Sequence, residues 1–159
     1  MAKPLIMVVD DEKAFADELS KSITLTGKYE AVAAYSAREA EESLRKNKGL
    51  FGIFNNRIRC ILLDIKMPEM DGLQFLENLR REYKEMIPVI MVTAYEDEEK
   101  WDKATSGLIA GYVTKPLDKE KLIATLDRMF SNEETKYKMI SETLVQGFEK
   151  KEEYRGPHP

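Results

Sequence analysis

The chain has 159 residues, enough for one domain of ordinary size and a short appendage. With 43% hydrophobic and 34% charged residues and only 8 Gly and 6 Pro, it can bury a core, which excludes collagen, a disordered tract and a disulfide scaffold. The 29 acidic residues outnumber the 25 basic ones for a net charge of -4, so no overall basic field draws the chain onto nucleic acid or anionic membrane, and direct nucleic-acid binding is not expected.

The first apolar run, Leu5 to Val9, is too short for a signal-peptide core or a bilayer span. Phe15, Leu19 and Ile23 then share one helical face, and Gly27 is placed to end that helix. A second strand is expected from Ala31 to Tyr35, followed by a capping box of Ser36 and Glu39 that opens a helix running through Leu44. The third strand, Cys60 to Leu63, contains the single cysteine; a lone buried thiol suits a reducing compartment, and a cytoplasmic protein is expected. Leu73, Leu76, Leu79 and Tyr83 stripe a third helix, and Val89 to Val92 forms a fourth strand. The fourth helix, within Glu96 to Ser106, is the least regular: Trp101 and Ala104 are its inward candidates, beside polar Asp102 and Thr105. Tyr112 to Thr114 gives strand five, and Leu122, Ile123, Leu126, Met129 and Phe130 stripe a fifth helix after Pro116.

Continuous rather than alternating apolar strands imply burial on both faces, hence a parallel sheet with helices on either side. The expected fold is α/β: a flavodoxin-like, doubly wound, five-stranded parallel sheet of order 2-1-3-4-5. Residues 1 to 130 would form that domain. From 131 to 159, Tyr137, Ile140, Leu144 and Phe148 recur at helical spacing and predict an extra C-terminal helix with a frayed tail and no output domain. That helix has three possible uses: docking on its own domain, homodimerisation, or meeting a partner helix.

In such sheets ligands sit beyond the carboxyl ends of the strands, at the switch point between strands one and three. Asp10-Asp11 ends strand one and Asp64 ends strand three. Converging carboxylates repel, which favours a cation, and an oxygen-only donor set suits Mg²⁺. Alternatively, these acids are only solvated turn residues. Thr93-Ala94 and Thr114-Lys115-Pro116 end strands four and five, adding a hydroxyl and an ammonium. Carboxylate, metal, cation and hydroxyl are the parts that phosphoryl transfer requires.

On these residues, together with the stretch Leu62 to Gly72 and Tyr112 to Pro116, the chain resembles a response-regulator receiver domain of two-component signalling over residues 3 to 130. The resemblance implies that Asp64 accepts a phosphoryl group from a sensor histidine kinase or phosphotransfer protein. It further implies that Asp11, Asp64 and the backbone carbonyl of Lys66 bind Mg²⁺, with Asp10 acting through water, and that Lys115, after a cis Lys115-Pro116 bond, meets the phosphate. Thr93 and Tyr112 would be the switch pair, Tyr112 turning in from an exposed rotamer. Signalling would go by protein contact to a downstream target, with catalysis limited to the domain's own phosphorylation and dephosphorylation. Lys66 and Tyr95 border the expected path of the hydrolytic water, so a long-lived phosphorylated state is expected. Asp71 is expected only to cap the third helix.

Against the family pattern, Asn47 to Arg57 carries about eight extra residues, including Leu50, Phe51, Ile53 and Phe54. They enter strand three from its amino end, opposite the acids. A constitutive interaction module that works without phosphorylation is the alternative function. A flavin or nucleotide enzyme fits poorly, because Asp10-Asp11-Glu12-Lys13 is acidic where a cofactor phosphate needs a Gly-rich nest. A haloacid-dehalogenase-type phosphatase would want an acid at position 66, where Lys66 stands.

Overall fold

The computed structural model describes residues 2–50, 55–94 and 98–155. Five parallel strands, β1 (Leu5–Val9), β2 (Glu30–Ala34), β3 (Ile58–Leu63), β4 (Val89–Thr93) and β5 (Gly111–Thr114), make one sheet of order β2-β1-β3-β4-β5. The helices are α1 (Lys13–Leu25), α2 (Ala37–Lys46), α3 (Gly72–Glu82), α4 (Glu98–Ser106), α5 (Lys119–Met129) and α6 (Glu133–Arg155). None among the described residues is long and apolar enough to cross a membrane.

The two faces of the sheet follow from the alternation of side chains along each strand. Met7, Val9, Ile61, Leu63, Val89 and Met91 face α2, α3 and α4. Their neighbours Ile6, Val8, Cys60, Leu62, Ile90 and Val92 face α1 and α5. Cys60 is fully buried, and burial pushes its thiol pKa upward, so the thiolate that would make it reactive is suppressed.

Helix ends obey local chemistry. Gly27 follows α1 with φ +73°, a left-handed position natural to glycine. The Ser36 hydroxyl accepts from the Glu39 amide, while the Glu39 carboxylate accepts from the amide of Tyr35, one residue before the cap. Asp71 and Gln74 complete a reciprocal capping box at the start of α3. Leu76 and Leu79 are buried as the periodicity predicts, together with Phe75, which the striping had not included.

Helix α4 buries Ala104, as expected, and also the polar Thr105, which is not among the expected inward residues. The reason is α6, which packs on α4 over Thr105. On α6 the expected stripe is half right: Ile140 is buried with Met139, Thr143 and Gly147, whereas Tyr137 and Phe148 are exposed. Small and polar residues therefore face inward on the second half of that helix.

In the extra loop, the side-chain amide of buried Asn56 donates to the carbonyl of Leu44, and its side-chain oxygen accepts from the amide of Ile58. Leu50 is exposed; Phe51, Ile53 and Phe54 lie outside the described residues, as do Tyr95 and His158.

Candidate functional site

At the carboxyl edge of the sheet the backbone ladder continues past the strands. The Asp10 amide donates to Ala34, that of Asp64 to Val9 and that of Lys115 to Thr93, at 3.0, 3.0 and 2.9 Å. These bonds fix the backbones of three functional residues to the strands beside their own before any side chain is considered.

Asp10, Asp11 and Asp64 each offer an oxygen, and the three oxygens lie within 4.8 Å of one another. Asp10 and Asp64 are buried, and Asp11 faces solvent. One Asp10 oxygen accepts from the Glu12 amide at 2.9 Å and the other meets the Lys115 ammonium at 2.6 Å. Lys115 Nζ also stands 3.9 Å from Asp64 and 4.1 Å from the centroid of the Phe15 ring. The Lys115-Pro116 peptide is cis.

Burial, followed by the negative charge of Asp10, pushes the pKa of Asp64 up to about 6; Lys115, the Thr93 hydroxyl and the Ile65 amide oppose the rise. Thr93 is fully buried at the end of β4. Tyr112 is half-buried rather than exposed, its ring centroid 4.1 Å from that of Trp101. Lys66 is solvent-facing in the loop after Asp64. The structure thus gathers Asp10, Asp11, Asp64, Thr93 and Lys115 at one place and leaves Tyr112 on the flank of α4.

Residues 6–127 match the family model of the response regulator receiver domain. The chain belongs to that family. This receiver domain is similar to chemotaxis protein CheY4 of Vibrio cholerae, with 29% identity, a TM-score of 0.68, and coverage of 80% of this chain and 98% of that one. A response regulator receiver protein from Pseudomonas putida has 25% identity and a TM-score of 0.70, covering 80% of this chain and 98% of that one. The transcriptional regulatory protein CrdR of Helicobacter pylori is 26% identical over 128 residues, 80% of this chain; the chain spans 55% of that relative's length.

Two residues of the receiver site have roles that the sequence does not announce. A Cβ on Gly72 would overlap the backbone carbonyl of Asp64, whose loop closes through a 2.7 Å bond from the Gly72 amide to Ile65. Gly72 is therefore required by a backbone approach, beyond its place in α3. Phe15 was read as a core residue of α1, and its ring is half-buried beside the Lys115 ammonium. Its spacing in α1 marks the inward face; the cation is brought to it by a strand end about a hundred residues away.

Proposed function

We propose that this receiver domain accepts a phosphoryl group on Asp64 from a phosphohistidine of a sensor kinase or phosphotransfer protein, and signals the change by protein contact. The observation that carries the reading is the convergence of three carboxylate oxygens within 4.8 Å beside the Lys115 ammonium. An Asp64 oxygen bonds to phosphorus as the P–N bond breaks, and that bond's electron pair stays on the imidazole nitrogen. With its pKa at about 6, Asp64 is mostly ionised at neutral pH and available as a nucleophile.

The donor set fits a hard cation: oxygen ligands only, two buried and one open to solvent. Asp11, Asp64 and the carbonyl of Lys66 would hold Mg²⁺, with Asp10 acting through water; the ion would supply neutralisation of the phosphoryl oxygens. Lys115 would take another phosphoryl oxygen, released from Asp10 as the negative charge arrives at Asp64. The Thr93 hydroxyl, which donates to the Asp64 carboxylate, would turn to the phosphoryl group and vacate space for Tyr112.

Incubation with acetyl phosphate and Mg²⁺ tests the reaction. The expected result is a mass gain of one phosphoryl group that disappears in Asp64→Asn and in EDTA. An unchanged mass gain in Asp64→Asn would exclude Asp64 as the acceptor.

A further inference from the structure

Helix α6 touches α4, β5 and α5 together, so it passes from one face of the sheet to the other around the β5 edge. Its first half is held by apolar burial, with Met139 and Ile140 joining the core layer of α1 and α5. The second half is held differently. Gly147 approaches α4 so closely that a Cβ there would come within 2.6 Å of Thr105 Cγ2. Lys151 Nζ lies 3.0 Å from both carboxylate oxygens of Asp102, and Lys150 Nζ stands 4.4 Å from the centroid of the Trp101 ring. Val145 and Phe148 point away from the domain, 52% and 60% exposed. A segment with small and charged residues inward and large apolar ones outward is attached by contacts weaker than those of a permanent core.

The same contacts lead to Tyr112. Trp101 meets both the Tyr112 ring and the Lys150 ammonium, and both rings line one cavity with Gln146, Glu149, Lys150 and Glu153 of α6. The indole Nε1 of Trp101 is buried without a hydrogen-bond partner, a desolvation penalty carried by the docked arrangement. If the Tyr112 ring turns inward, Trp101 loses the partner that props it under Lys150.

We infer that the second half of α6, Thr143 to Glu153, is an internal ligand of the α4–β5 face, released when Tyr112 turns toward Thr93. The uncovered surface, with Thr105 at its centre and Asp102 one turn away, fits a partner helix of the same chemistry: a small residue over Thr105 and a basic residue four positions later reaching Asp102. This inference rests on the phosphorylation reading above, and by linkage it works both ways: whatever frees α6 must tighten the site for phosphate.

Beryllofluoride with Mg²⁺, a mimic of the acyl phosphate, tests it on the full chain. Binding is read from the Asp64 amide resonance and release from residue-resolved hydrogen exchange. On saturation, amides 143–153 should exchange at least about fivefold faster while 133–140 stay unchanged. Gly147→Leu, by steric overlap, and Lys151→Glu, by repulsion from Asp102, should each loosen the same amides without the mimic. Each should also lower the half-saturating beryllofluoride concentration about fivefold. Because the two variants act by different means, a shared effect is not a folding defect of one of them. Binding that leaves exchange at 143–153 unchanged overturns the inference and leaves the phosphorylation reading standing, as does loosening by both variants with unchanged half-saturation. Absence of binding in wild type and both variants overturns both readings.

Discussion

Asp64 carries an opposition between folding and function. Its pKa is raised by burial and by Asp10, so the folded state binds its proton more tightly than the unfolded chain does. The stabilising effect is complete below the unfolded value near 4 and is lost as pH rises through about 6. Asp64→Asn should therefore stabilise the metal-free protein at pH 7.5, by on the order of 2 kcal/mol, and the gain should vanish near pH 4. Urea denaturation in EDTA across that range checks both sign and window. At Gly72 the constraint is steric, since its missing Cβ leaves room for the Asp64 carbonyl. Gly72→Ala should cost about 2 kcal/mol or more and shift the Asp64 amide resonance, whereas an alanine needing no backbone movement would do neither. Nothing in the sequence announces this approach: a glycine at the start of a helix beside a good cap reads as capping chemistry alone.

Among the elements, α3 has its end tied down by one polar side chain in addition to its buried apolar face. Arg80 donates from Nε to the carbonyl of Gly107, from Nη1 to that of Ile87 and from Nη2 to that of Leu108, at 2.8, 2.8 and 3.2 Å. It ties the end of α3 to the segments that lead into β4 and β5, where Leu108 takes a left-handed φ of 57°. Arg80→Met keeps the stem and removes the fork, leaving three carbonyls short of donors; a loss of about 3 kcal/mol is expected in urea denaturation. Arg80→Lys should recover little of it, because a single ammonium cannot span the three sites. The strands and α1, α3 and α5 were legible because burial on two faces writes long apolar runs and regular stripes. On α6 the stripe misled, since Tyr137 and Phe148 share a helical face that the domain does not cover, while the covering face is written in Thr143 and Gly147. Periodicity of hydrophobicity cannot register a contact that needs the absence of a side chain. The site was legible for a different reason: acids, hydroxyl and lysine stand at successive strand ends, and strand order alone brings those ends together. Phe15 and the covered state of Tyr112 were not, because each depends on a neighbour distant in sequence.

For the molecule as a whole, an acid cluster that holds a divalent cation would couple stability to that ion. A cation bound by the folded cluster and not by the unfolded chain stabilises the whole domain, by about 1.4 kcal/mol for each tenfold excess over its dissociation constant. Mg²⁺ should thus raise the melting temperature of wild type in a concentration-dependent way. The response should be lost in Asp11→Asn, which removes an exposed acid at little cost to the core. Equal responses in the two proteins, followed by calorimetry, would move the ion elsewhere. The path of α6 has one further consequence. A parallel sheet of this order ends in two border strands, β2 and β5, and α6 lies along the second. Border strands present unpaired amides and carbonyls that can recruit a foreign strand and seed aggregation. A release of the second half of α6 that uncovers part of β5 would therefore limit how long the active form can remain at high concentration without self-association, giving the cell a reason to keep that form either scarce or promptly engaged.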